Sequence, residues 1–277
     1  MRRRASPLLL LAGFAALAAA GAGVGVWLLP FRDAPPEAAE GQPRAAAPAP
    51  AAGSDAATCA ELLLRDPEEA GRFALEWARR QGGEAAERCT ALALMALGQP
   101  ERGAARLEEL AARSGATAAE RAGLYAEAVQ GWMLAGDAAR AYAAATLGLS
   151  LMPEDAGLLL DRALAAGNLG RYAEALSDLD RVLAADPRRA DAWAFRAAAL
   201  RRMERPAEAL VAAERALALD PDHPEGLLER GILRQAAGDS EGARADWQRL
   251  LAVAPDSAAA DLAQQNLELL EAGPAGR

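Results

Sequence analysis

Two side chains in this sequence can form a covalent cross-link or hold a soft metal, the thiols of Cys59 and Cys89. No C-x-x-C spacing accompanies them, so neither a zinc ribbon nor a dithiol redox centre is written locally. In a chain that leaves the cytoplasm, an even pair of cysteines most simply forms a disulfide. Two reduced, buried thiols acting as small hydrophobes are the alternative. His223 is the only histidine, and its turn Asp220-Pro221-Asp222-His223-Pro224 predicts a solvated residue rather than a general base. One histidine and two distant cysteines do not make a metal site, and no phosphate-cradling loop or nucleophile elbow is present in the sequence. Carboxylates are plentiful, but they stand at helical spacing from arginines, as surface ion pairs do. The expectation is a protein that is not an enzyme, with no cofactor, no metal and no small-molecule substrate.

Composition narrows the class further. Hydrophobic residues make up 52% of the 277-residue chain and aromatics only 4%, so alanine and leucine must supply the core. That favours closely packed helices over β-sandwiches. All 30 basic residues are arginine, and the net charge is −9. A generic nucleic-acid binder needs a basic surface to displace counterions, so a nucleic-acid partner is not expected.

Arg2, Arg3 and Arg4 precede an uncharged apolar run over residues 7–29, with Trp27 near its far end. As a helix this run would span roughly 35 Å, enough for a hydrocarbon core of about 30 Å. The arginines before it favour a cytoplasmic N-terminus. The expectation is a single-pass signal-anchor in the bacterial inner membrane: residues 1–6 a cytoplasmic basic segment, 7–29 the transmembrane helix, the remainder in the periplasm. Cleavage near Ala18-Ala19-Ala20, which would release the chain into the periplasm, is the alternative. Residues 30–55 are rich in proline and alanine and read as a linker.

Downstream, the sequence repeats itself. Pro153, Pro187, Pro221 and Pro255 recur every 34 residues, as do Ala141, Ala175, Ala209 and Ala243. Gly136, Gly170 and Gly238 keep the same register, and so does the series Val129, Ala163, Ala197, Gly231. The small residues let two helices approach closely, the glycine ends the first helix, and the proline ends the second.

The segment GRYAEALSDLDRVLAADP, Gly170 to Pro187, resembles the second half of the tetratricopeptide repeat, and Trp193 stands at that repeat's fourth position. The resemblance implies an all-α superhelical solenoid of helix-turn-helix repeats over 56–272, behind the N-terminal transmembrane helix. Repeats are framed at 122–155, 156–189, 190–223 and 224–257, with a degenerate repeat at 84–121 and a partial one at 56–83. A capping helix follows over 258–271, and 273–277 form a tail. The third repeat departs from pattern, with Glu204 in place of the glycine and Pro206 opening its second helix. In this frame Cys59 and Cys89 fall on the first helices of successive repeats, where a bridge is feasible. Arg162, Arg196 and Arg230 recur in register, with Asp178 and Asp246 placed to pair with them.

Proteins that this chain resembles bind partners on the concave surface lined by first helices. Groove positions then include Gln130, Met133, Leu160, Leu164, Arg201, Leu228, Ile232 and Gln235. The lysine-bearing carboxylate clamp known in the family is not matched, because the chain has no lysine. A mainly apolar groove with scattered charges is expected, suited to a helix or an apolar peptide. The resulting expectation is a protein–protein interaction scaffold of the envelope that captures a client or partner polypeptide. The alternative is a structural or self-associating subunit of a larger envelope complex.

Overall fold

The computed structural model describes residues 55–272, which form thirteen helices and no strand. The predicted anchor over 7–29 and most of the linker lie outside the described residues. Among the described residues no helix is long and apolar enough to cross a membrane.

The helices run in antiparallel pairs: α1 (Asp55–Arg65) with α2 (Pro67–Arg79), α3 (Gly83–Ala96) with α4 (Pro100–Arg113), and α5 (Ala118–Leu134) with α6 (Ala138–Leu151). The order continues with α7 (Ala156–Asn168) and α8 (Tyr172–Ala185), α9 (Ala190–Arg202) and α10 (Pro206–Leu219), then α11 (Pro224–Ala236) and α12 (Ser240–Val253). A single helix, α13 (Ala258–Ala272), closes the stack.

Local chemistry sets the ends of these helices. Asp66, Asp137, Asp155 and Asp239 each accept a backbone N–H three residues on, at 2.8–2.9 Å, satisfying a donor that the helix cannot. Gly98, Gly136, Gly170 and Gly238 take φ between +73° and +90° just past the first helix of a pair. That left-handed corner reverses the chain into the second helix. Proline opens α2, α4, α10 and α11, where its missing donor costs nothing.

Alanine then governs packing. Ala141, Ala163, Ala175, Ala197, Ala209 and Ala243 are all fully buried between helices. A central cluster joins α7 to α10 through Leu159, Leu179, Phe195 and Leu200, flanked by clusters around Trp132 and Trp247.

The curvature of the stack follows from which helices meet. Successive first helices touch one another, α1 with α3, α5 with α7, α7 with α9, α9 with α11, and α11 with α13. Successive second helices make no comparable contact, so the first helices lie on the inner side of the curve. One junction is different: α3 and α5 meet through side chains, with Met95 of α3 beside Gly131 of α5 and Arg88 bonded to Glu127. α5 is also 17 residues long, against 13 for α7, α9 and α11. Its extra turn, residues 118–121, begins at a capping box between Thr117 and Glu120.

Candidate functional site: the inner face of the first helices

The inner face is built on polar bridges between first helices. Arg88 of α3 donates to the carboxylate of Glu127 on α5, its Nε at 2.8 and 2.9 Å. Gln130 of α5 donates to Asp161 of α7 at 3.0 Å. Arg201 of α9 grips Glu229 of α11 through two bonds of 2.6 and 3.0 Å. Near the start of α9, Arg189 is forked onto Asp191. Charge-assisted pairs of this kind hold both side chains in fixed geometry.

This arrangement corrects the expected apolar groove. Leu160, Leu164 and Leu228 are only 5%, 2% and 6% exposed, so they are core residues rather than an open apolar surface. Leu160 and Leu164 belong to the cluster that contains Ala192, Phe195 and Ala199 of α9, and Leu228 to the one around Trp247. The physical reason is the alanine content. Small residues draw neighbouring first helices together until the leucines fill the seam between them. Ile232 is half-buried against the same C-terminal cluster. Gln130, Met133, Arg201 and Gln235 remain half-exposed on the first helices, with Arg201 and Gln130 already engaged in the bridges above.

His223 is a second correction, since it is buried rather than solvated. It caps α11, its Nδ1 accepting the Gly226 N–H at 3.3 Å, with the Glu225 carboxylate 3.4 Å from the same nitrogen. Burial pushes the Glu225 carboxyl above the usual carboxylate range. The pair serves the helix start. Among the described residues, no three histidine, cysteine or acidic side chains are placed to hold a metal ion.

Cys59 and Cys89 are joined as a disulfide between α1 and α3, with Cα atoms 6.2 Å apart. The recurrent arginines pair within and between repeats. Arg162 forks onto Asp178 and Arg230 onto Asp246, at 2.6–2.9 Å. Arg196 finds Ala212 where those repeats have aspartate, so it reaches back to Asp180 at 2.9 Å instead. These arginines join helices and are not free to read a partner.

A feature not anticipated from sequence is a cleft of about 310 Å³ between α3 and α5. Glu84, Arg88, Glu120, Gly123, Leu124 and Glu127 line it. Its signal was present in the four residues that break the 34-residue spacing before residue 122, because they become the extra turn of α5.

Fold and inner face together define a helical-repeat solenoid. Residues 156–189 and 195–268 each match a family model described as tetratricopeptide repeat, and the chain carries such repeats there. No curated protein matches the sequence significantly. Among solved structures, TTC0263, a thermophilic TPR protein in Thermus thermophilus, is 20% identical with a TM-score of 0.55, covering 68% of this chain and all of its own. MamA from Desulfovibrio magneticus RS-1, residue 41 to its end, is 20% identical with a TM-score of 0.53, covering 63% and 97%. YrrB, described as a TPR protein with an unusual peptide-binding site, is 18% identical with a TM-score of 0.50, covering 70% and 96%. At these identities the likeness is one of fold.

Proposed function

We propose that this protein is a non-enzymatic interaction scaffold of the bacterial envelope that captures a client or partner polypeptide along the inner face of its first helices. The observation that carries this reading is the inner face itself. Five first helices are tied by Arg88–Glu127, Gln130–Asp161 and Arg201–Glu229, which hold the half-exposed Glu127, Gln130 and Arg201 in place. A pre-organised surface of this kind loses little conformational freedom when a peptide is laid on it. YrrB, which shares the fold, is described as having a peptide-binding site. The apolar run over 7–29 would hold the scaffold at the inner membrane with its repeats in the periplasm.

The test is site-specific photo-cross-linking in the full chain, expressed in its native membrane. A cross-linking residue in place of Met133 or Gln235 should trap a discrete polypeptide, while one at Val211, exposed on second helix α10, should not. Equal yield from all three positions would remove the inner face as the binding surface.

Self-association is the second reading, and the ends of the stack favour it. Leu64 of α1 is 92% exposed and Leu269 of α13 is 68% exposed, at opposite ends of the solenoid. Light scattering on the purified full chain separates the two: a defined oligomer that Leu269→Glu dissolves supports the subunit reading.

A further inference from the structure

Between the N-terminal halves of α3 and α5, short of the point where Met95 of α3 packs beside Gly131 of α5, a cleft of about 310 Å³ opens. That volume accommodates a long amino-acid side chain. Three features of the cleft limit what it takes.

The first is charge. Glu84 of α3 and Glu120 and Glu127 of α5 face the cleft against one guanidinium, Arg88, which Glu127 engages. Glu120 accepts from both the backbone N–H and the hydroxyl of Thr117, which hold its carboxyl below the usual range and so keep it charged. Glu84 accepts from the Ser114 hydroxyl at 2.5 Å, which sets its position against the cleft wall. The lining therefore carries an excess of fixed negative charge. The second is the floor, where Leu110 and Leu124 give an apolar surface that suits a methylene stem. The third is Gly123, inside helix α5. A Cβ built there would meet nothing within 4 Å, so no neighbour demands glycine. Glycine inside a helix weakens it relative to alanine. Gly123 thus leaves the cleft wall without a side chain at that point.

We propose that this cleft is a specificity pocket for one basic side chain, arginine or lysine, of the polypeptide held on the inner face. The inference rests on the partner-capture reading and adds the chemistry by which a partner is selected. The cationic head lies among Glu84, Glu120 and Glu127, and the stem crosses Leu124 and Gly123. Because the extra turn of α5 supplies Glu120, the pocket belongs to this junction and not to the regular repeats.

The test uses the full chain in detergent and a fluorescein-labelled peptide of serines and leucines around one central arginine. Its twin carries citrulline, which keeps the shape and removes the charge. Fluorescence anisotropy should show the arginine peptide binding about fivefold or more tightly than the twin, with the gap closing as salt is raised. Gly123→Phe should fill the cleft and abolish the preference, while Gly123→Ala should leave the helical circular dichroism intact and raise the melting temperature. If Gly123→Phe does not fold, Glu120→Gln decides, since glutamine preserves the capping box and removes the charge. It should bring the arginine and citrulline peptides together. Equal binding of the two peptides to wild type, no binding of the arginine peptide, or full preference kept in Gly123→Phe and Glu120→Gln overturns the pocket. Cross-linking from Met133 and Gln235 that persists in Gly123→Phe would leave the scaffold standing and remove only the pocket. Loss of cross-linking everywhere, with the arginine preference kept, would do the reverse.

Discussion

Glu204 occupies the corner that glycine holds in four other helix pairs, at φ +59°. An L-residue there crowds its own backbone, at a cost of about 1–2 kcal/mol, whereas glycine adopts the conformation freely. Part of that gain is offset because glycine also loosens the unfolded chain. Glu204→Gly is therefore expected to stabilise the protein by about 0.5–1 kcal/mol, read as a higher urea midpoint with unchanged slope. A lower midpoint would show that the Glu204 side chain contributes more than its backbone loses. The left-handed corner was legible in sequence because glycine recurs there in register. The burial of Leu164 was not legible, since position in a repeat says which way a side chain projects and not how close the next helix comes. Closeness depends on residues such as Ala163, Ala192 and Ala199, which lie on two different helices. The burial of His223 was hidden for a related cause. Its turn looks polar, yet the imidazole folds back to cap α11, which a turn sequence does not announce.

Between elements, small and large residues trade places from one pair to the next. In the first-helix series Val129, Ala163, Ala197 and Gly231, the residues sixteen further on are Ala145, Leu179, Ala213 and Trp247. Valine goes with alanine and glycine with tryptophan, so at the two ends of the series a small residue faces a larger one, while Ala197 and Ala213 are both small. The last pair is the extreme: a Cβ at Gly231 would lie 2.3 Å from Nε1 of Trp247, whose indole is fully buried and donates to the Leu228 carbonyl. Gly231→Ala should therefore cost about 1–3 kcal/mol by overpacking, although alanine is the better helix former. Near-ultraviolet circular dichroism of the displaced tryptophan and the urea midpoint check it together. A neutral or stabilising result would mean that α11 and α12 slide apart without loss. The arginine series behaves likewise as a joint between elements. The periodicity of Arg162, Arg196 and Arg230 was readable, but the backward reach of Arg196 to Asp180 depends on Ala212 and had to be seen. The extra turn of α5 was readable only as a spacing error, because four residues inserted between helices can equally lengthen a loop.

Across the whole molecule, the core thins toward the N-terminal end. The central cluster gathers side chains from seven consecutive helices, α5 to α11, whereas α1 and α2 contribute to two small groups around Cys59, Ala74 and Cys89 and around Leu62, Ala70 and Ala93. The repeats that match family models lie within 156–268, and the upstream pairs were traced in sequence by scattered glycines, one Asp-Pro and the cysteines. In a solenoid each repeat leans only on its neighbours, so a weak terminal pair frays by itself. The Cys59–Cys89 bridge ties α1 to α3 across that weak end, with 30 residues of separation. Closing such a loop stabilises by about 3–4 kcal/mol in the chain-entropy view. Cys89→Ala should consequently act locally. Amide hydrogen exchange over α1 and α2 should quicken by about a hundredfold or more, while α7 to α12 keep their protection. Helical content at room temperature should fall little, and unfolding should gain an early phase. Protein isolated from cells should show no free thiol under denaturing conditions until reductant is added; two free thiols would mean that the bridge is not formed in the cell. Uniform loss of protection along the whole stack would show instead that the N-terminal pair nucleates the fold, and that the solenoid is one cooperative unit from α1 to α13.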